Sequence, residues 1–174
     1  MQREKPLNPA PLVSVAIACS GASRAAVRST LEALGKQTYA NFEVCVVSEL
    51  AQAGLTDYEG IPKFRLVLFN GTAHEQLKAA EKMLNGAYFL QLLPGDLPAP
   101  DALHMLVLQT HANPEAEVVF ADEDSVIDGI RQNPIFKPDY GRDTLRSFNS
   151  IGRPMLVSKR WNSCVKISAI LKWL

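Results

Sequence analysis

A doubly wound α/β domain with a mostly parallel sheet is the fold class this sequence predicts. Three observations carry the prediction. Five short apolar runs stand between residues 12 and 121, each of strand length and continuous enough to be buried on both faces. Amphipathic stretches at helical spacing separate most of these runs. Glycine, asparagine and proline punctuate the junctions. Strands alternating with helices make βαβ units, and right-handed crossovers then place helices on both faces of the sheet.

The elements follow in order. Residues 1–11 form a flexible lead-in, because Pro6, Pro9 and Pro11 disfavour regular structure. Residues 13–18 (VSVAIA) are a buried strand, and Ser20, Gly21 and Ser23 turn the chain. Val27, Leu31 and Leu34 give the first helix its inner face, with Gly35 at the expected C-cap. Residues 42–47 (FEVCVV) are the second strand, 50–62 a polar connection, and 64–69 (FRLVLF) the third strand. After Asn70-Gly71 a helix runs to Leu84, with Leu77, Ala80 and Leu84 on one face, and Asn85-Gly86 stops it. Residues 87–93 (AYFLQLL) are the fourth strand. Pro94-Gly95-Asp96 turns the chain, and Pro98 and Pro100 prepare a helix that buries Leu103, Leu106, Val107 and Thr110. Residues 118–121 (VVFA) are the fifth strand. Beyond them, Asp128-Gly129 is expected to close a hairpin between residues 125–127 and 130–132. Residues 155–158 suit one more strand, and 159–174 a divergent C-terminal helix or tail bearing Trp161 and Trp173. The folded body is thus expected over residues 12–158.

Composition bounds the function. At 174 residues the chain suits one domain, and 47% hydrophobic with 21% charged residues is a globular composition. Lysine plus arginine number 18, as do aspartate plus glutamate, so the net charge is zero. That balance argues against a nucleic-acid partner, which a basic excess would accompany. It leaves room for a small charged ligand. Cys19, Cys45 and Cys164 are odd in number and show no C-x-x-C spacing, so neither a disulfide framework nor a zinc ribbon is expected. Cys19 and Cys45 read as small core residues. His74, His104 and His111 lack the close spacing of metal ligands and read as surface or partly packed. The N-terminus has no apolar core of signal-peptide type, and no stretch approaches the ~18 apolar residues of a membrane span. A soluble, cytoplasmic protein is the expectation, and the apolar tail hints at peripheral membrane or protein association.

Open α/β sheets bind ligands beyond the carboxyl ends of their strands. That rule selects Cys19 and Ser20 after the first strand, Ser48 and Glu49 after the second, Asn70 after the third, and Asp96 after the fourth. Asp122, Glu123 and Asp124 follow the fifth. Each residue alone reads most simply as turn or capping chemistry. Together they form an edge able to hold a metal through carboxylates, or to hydrogen-bond a base and ribose. Lys137 and Arg153 are candidates to reach phosphate, against the simpler reading of solvated charge.

Four stretches resemble the N-terminal, nucleotide-sugar-binding part of glycosyltransferase family 2, inverting enzymes of the Rossmann-like GT-A fold. They are VSVAI at 13–17 with TLEAL at 30–34; QTYANFEVCVV at 37–47; GAYF at 86–89 leading to PGDLPAPDAL at 94–103; and ADEDSV at 121–126 with FKPDY at 136–140 and SIGR at 150–153. The last is similar to members that build bacterial surface polysaccharides. The resemblance implies transfer of a sugar from a nucleoside-diphosphate sugar to a saccharide or lipid-linked hydroxyl acceptor, in polysaccharide or cell-wall synthesis at the inner face of the membrane. It further implies a divalent cation, Mg²⁺ or Mn²⁺, that neutralises the leaving diphosphate.

Departures from the family pattern fall at the chemistry. Ala18-Cys19-Ser20-Gly21 stands for P-T-Y-N, and Ser48-Glu49-Leu50-Ala51 for D-D-G-S, where Glu49 alone offers an acid to the base. Asn70 matches the family asparagine after the third strand, while Thr72 and Lys78 replace a later glycine and asparagine. Of the family's D-x-D-D, Leu93-Pro94-Gly95-Asp96 keeps the last acid only. By resemblance Ser20, Glu49, Asn70 and Asp96 contact the nucleotide-sugar, and Asp96 is the one candidate metal ligand. Asp122 and Asp124 follow the wrong strand for that motif and read as acceptor-side or structural acids. The family's catalytic base is expected beyond the end of the chain. Two expectations result: a sugar transferase, or a degenerate, non-catalytic GT-A-like domain that keeps the fold without its metal acids and base.

Overall fold

A computed structural model describes residues 7–49, 61 and 63–160. The connection at 50–60, the tail at 161–174 with its two tryptophans, and Cys164 lie outside the described residues.

Residues 7–11 carry no helix or strand. The Tyr39 hydroxyl donates to the Pro11 carbonyl, Asn41 Nδ2 donates to the Ala10 carbonyl at 2.7 Å, and Leu7 packs on the core. The elements then run β1 (Val13–Ala18), α1 (Arg24–Leu34), β2 (Phe42–Ser48), β3 (Phe64–Leu68), α2 (Ala73–Glu81), β4 (Tyr88–Leu92), α3 (Ala102–Ala112) and β5 (Val118–Phe120). A hairpin of β6 (Glu123–Ile127) and β7 (Ile130–Ile135), a short helix α4 (Arg142–Ser147) and β8 (Met155–Ser158) complete them.

Six strands form one sheet in the order β3-β2-β1-β4-β8-β5. β1 is parallel to β2 and β4, and β2 to β3. β8 is antiparallel to both β4 and β5, so the sheet is mixed but mostly parallel. Every residue of β1 and β2 is buried, as expected for central strands covered on both faces.

Two cores lie on the two faces. On one, Val27, Leu31 and Leu34 of α1 and Leu103, Leu106 and Val107 of α3 meet Val13, Val15, Ile17, Val44, Val46, Leu90 and Leu92. On the other, Leu77 and Ala80 of α2, with Leu84, meet Ala16, Ala18, Cys45, Val47 and Phe89. The alternation of strand residues between these sets is the period of two that a pleated strand imposes. No helix of the described residues is long and apolar enough to cross a membrane.

A buried polar knot joins the amino ends of the strands. The Ser14 hydroxyl and the Asn85 N–H donate to Glu43 Oε1 at 2.7 and 2.6 Å, and Arg65 pairs with its other oxygen at 3.2 Å. Gly86 N–H donates to Ser14 Oγ at 2.7 Å, and a Cβ at residue 86 would stand 2.7 Å from the Ser14 backbone nitrogen. Only glycine permits that approach. Gln37 acts similarly at α3: its amide donates to the Ala99 carbonyl at 2.7 Å and its Oε1 accepts from Leu103 N–H at 3.0 Å. It caps the helix that Asp101, whose side chain makes no capping bond, leaves open.

Several sequence expectations are adjusted. α2 ends at Glu81 rather than Leu84, although Leu84 is still buried. It begins with a capping box, in which the Thr72 side chain accepts from Glu75 N–H and Glu75 accepts from Thr72 N–H. Gly35 caps α1 at φ −63°, so its left-handed freedom is not used. The hairpin closes on Asp128 and Gly129, at φ 54° and 78°, but its strands reach back to Glu123 and on to Ile135. α4 was not legible as a helix. His104 is buried on the inner face of α3 rather than partly packed, while Cys19 and Cys45 are free and buried.

Candidate functional site

The strand order reverses between β1 and β4. The chain leaves β1 towards β2 and β3, and leaves β4 towards β8 and β5. Such a switch point parts the two neighbouring loops and opens a crevice at the carboxyl ends of the strands.

On the β1 side, Cys19 N–H continues the ladder to the Val47 carbonyl at 2.9 Å and brings Ser20 beside Glu49. Ser20 Oγ donates to Glu49 Oε1 at 3.1 Å. Ser20 N–H donates to Gln76 Oε1 at 3.0 Å, and Gln76 Nε2 donates to the Phe69 carbonyl at 3.2 Å. Gln76 is wholly buried. Its amide therefore ties the loop after β1 to the end of β3, directly before the exposed Asn70. Sequence reading missed Gln76. The available signal was an amide next to Leu77 on the buried face of a helix.

On the β4 side, residues 93–96 form a tight turn. Asp96 Oδ2 accepts from Leu93 N–H at 2.7 Å, and Asp96 N–H donates to the Leu93 carbonyl at 3.0 Å. Gly95 sits at φ 99°, where its N–H donates to Thr30 Oγ1 at 2.9 Å. The turn is thereby pinned to α1, and the Asp96 side chain is 29% exposed.

β8 brings the remaining charges. Because it runs antiparallel, the residues before it, and not those after it, stand at the ligand edge. Arg153 Nη1 lies 3.3 Å from Asp96 Oδ2. Lys137 Nζ donates to the Arg153 carbonyl and pairs with Glu123 Oε1 at 3.4 Å, with its side chain 3% exposed. Burial pulls the Lys137 ammonium below its ordinary range, and the carboxylates of Glu123 and Asp122 restore only part of that loss. The reading of Lys137 as a solvated charge is thus corrected: it is buried and paired. Arg153 is paired too, but partly open, with its side chain 31% exposed.

The structure separates the sequence-predicted residues into groups. Ser20 and Glu49 are hydrogen-bonded, Asn70 stands two residues beyond the end of β3, and Asp96 lies across the switch point. Asp122 Oδ1 accepts from Lys137 N–H at 2.8 Å, and Asp124 pairs with Arg131 at 2.7 Å, so both acids hold the hairpin. A divalent cation at Asp96 does not fit the described residues around it. Among the described residues no three His, Cys, Asp or Glu side chains converge, and Asp96 Oδ2 already serves Leu93 N–H and Arg153. Elsewhere an open cleft of about 840 Å³ follows the edge strand β5 and reaches its carboxyl end at Ala121, Asp122 and Lys137.

The chain matches no established family model. It is 33% identical over 150 residues to the uncharacterized protein y4gI of Sinorhizobium fredii, a match covering 81% of this chain and 16% of that protein. It is 28% identical over 159 residues to the O-antigen biosynthesis protein RfbC of Myxococcus xanthus, covering 86% of this chain and 12% of that one. The chain therefore spans less than a fifth of either curated relative. Among solved structures, S. aureus TarS superposes with a TM-score of 0.63 at 14% identity, over 87% of this chain and 48% of that one, and has also been solved with UDP. The mannosyltransferase PcManGT of Pyrobaculum calidifontis, in complex with GDP-Man and Mn²⁺, gives 0.51 at 20% identity, over 67% of this chain and 39% of that one.

Proposed function

We propose that this chain, whose fold is that of the GT-A glycosyltransferases, is the donor-binding part of a glycosyltransferase. The reaction would move a sugar from a nucleoside-diphosphate sugar to a hydroxyl acceptor in polysaccharide synthesis. The observation that carries this reading is the polar rim at the switch point, with Ser20, Glu49 and Asn70 on one side and Asp96 and Arg153 on the other. The similarity to an O-antigen biosynthesis protein supports the pathway class.

Each rim residue has a role its chemistry allows. Glu49, oriented by the Ser20 hydroxyl, accepts hydrogen bonds from a nucleobase or ribose. Asn70 offers both a donor and an acceptor to the same moiety. Asp96 and Arg153 stand where the sugar diphosphate would lie. In the transfer, the acceptor oxygen bonds to the anomeric carbon, the bond to the diphosphate oxygen breaks, and the hydroxyl proton passes to a base. We assign no base among the described residues.

Calorimetric titration with UDP-, GDP- and dTDP-sugars tests the proposal. Saturable binding that weakens about tenfold in Glu49→Ala or Asn70→Ala is expected, the loss of one or two hydrogen bonds. An absence of binding at millimolar nucleotide-sugar would overturn it.

A second reading has its own support: Asp96 is the lone family acid at its turn and is already paired. A domain that binds donor without turnover would show saturable binding with neither sugar transfer nor donor hydrolysis. Donor hydrolysis abolished by Asp96→Ala would dismiss it.

A further inference from the structure

We infer that the donor diphosphate is held by the Arg153 guanidinium in place of a divalent cation, with Lys137 as the residue that positions it. This rests on the donor-binding reading above and adds how the phosphate charge is met.

Three observations lead there. The first is placement. Arg153 precedes an antiparallel strand, so its side chain rises at the carboxyl end of β4 and meets the Asp96 carboxylate at 3.3 Å. The second is fixation. The Arg153 carbonyl accepts from the buried Lys137 ammonium, and Lys137 is itself held by Glu123 at 3.4 Å. At Gly152, φ is +53°, and a Cβ there would stand 3.1 Å from Glu123 Oε1 and 3.7 Å from Lys137 Nζ. The backbone before Arg153 is therefore packed on the Lys137–Glu123 pair. The third is availability. Nη1 is used by Asp96, but the guanidinium carries five N–H donors in a planar fork and its side chain is 31% exposed.

These facts disfavour a metal and favour the arginine. A cation bound to Asp96 would have to displace Arg153 or share the carboxylate with a permanent positive charge, and the clamped backbone limits how far Arg153 can withdraw. Both cations are paired, but the Lys137 side chain is 3% exposed and that of Arg153 31%, so of the two Arg153 is the one with donors open to an anion. Asp96 then serves to orient the guanidinium. A bidentate arginine–phosphate contact would stabilise the diphosphate in the ground state and the charge that grows on it as it leaves.

The test is calorimetry of the 174-residue chain with UDP, GDP and dTDP, in EDTA and in Mn²⁺, with uridine, guanosine and thymidine as phosphate-free controls. For the nucleotide that binds, affinity in EDTA is expected within about threefold of that in Mn²⁺, since no counter-cation is required. Arg153→Ala should weaken diphosphate binding by at least about tenfold and leave the nucleoside unchanged, while Arg153→Lys recovers part of the loss. Lys137→Met should weaken the diphosphate as well and spare the nucleoside, a pattern that simple unfolding would not produce. Binding that requires Mn²⁺ would overturn the inference while leaving the donor-binding reading intact. So would Arg153→Ala binding at the parental affinity. No diphosphate binding in either condition would overturn both.

Discussion

On one side of the switch point, β1, β2 and β3 run parallel, joined in part through α1, and the first two are buried along their whole length. On the other side, β8 enters antiparallel between β4 and β5, and a hairpin whose second strand is exposed along all six residues stands off the sheet. The first half is held by apolar packing and one buried polar knot. The second shares that core through Leu90, Leu92, Leu103, Leu106 and Leu156, but its hairpin and the segment before β8 are tied by charge: Lys137 on Glu123, Arg153 on Asp96, Arg131 on Asp124. Packing confers stability with little dependence on salt or pH, whereas ion pairs at a partly open rim can be re-formed around a charged ligand. The proposed phosphate contact belongs to the charged half, and the packed half is what keeps the rim in place.

The largest expected effect is in the packed half. Leu31→Ala removes a fully buried side chain between α1 and the sheet and should cost about 3–4 kcal/mol in urea denaturation. If the contrast holds, both halves unfold together in that variant; a transition confined to one half would break it. Glu43→Ala comes next, at about 3 kcal/mol, because it strands the Ser14 hydroxyl and the Asn85 N–H and removes the carboxylate partner of Arg65, which keeps its bond to the Met83 carbonyl.

The same residue predicts an acid response. Burial pushes Glu43 upward, but the N–H of Asn85, the Ser14 hydroxyl and Arg65 outweigh it and hold the carboxyl below its ordinary value of 4.5. A carboxyl with a depressed folded value stabilises fully above its unfolded value and loses that contribution as pH falls through the folded one. Urea midpoints measured from pH 6 to pH 3 should therefore drop below about pH 4.5, and less steeply in Glu43→Gln.

Smaller effects sharpen the charged half. Lys137→Met should cost about 1–2 kcal/mol by leaving the Arg153 carbonyl and Glu123 without their partner. Hydrogen exchange should rise around residues 122–137 and 150–153 before it rises in β1 and β2. Arg131→Ala, which breaks an exposed pair, should leave the urea midpoint unchanged within error. At the limit of no effect stand Cys19 and Cys45. Burial pushes both thiols up to about 11, so iodoacetamide at pH 8 should leave them unlabelled in the native protein.

The two halves also differ in how much of them was legible. Residues 13–18 and 42–47 announced themselves as strands because burial on both faces demands unbroken apolar runs, and Asp128-Gly129 announced its turn because few residues tolerate positive φ. The roles of Gln37 and Gly86 appear only in space, where Gln37 caps α3 and Gly86 clears the Ser14 backbone. At the rim, strand-end position picked out Ser20, Glu49, Asn70 and Asp96, and the structure joins the first two. It gave no hint of Gln76, nor of Arg153 against Asp96, which lie 56 and 57 residues from their partners.

Sequence by itself determined the alternation of strands and helices, the turns, the faces each helix would bury and the strand ends where acids and amides gather. These are local properties, set by hydrophobic period and by which residues a given φ accepts. Tertiary structure alone decided the direction of β8, the burial of Lys137 and the pairing of Arg153 with Asp96. Strand direction depends on which neighbours a strand finds. The environment of a charge depends on everything that excludes water from it, and neither is written in the spacing of residues along the chain.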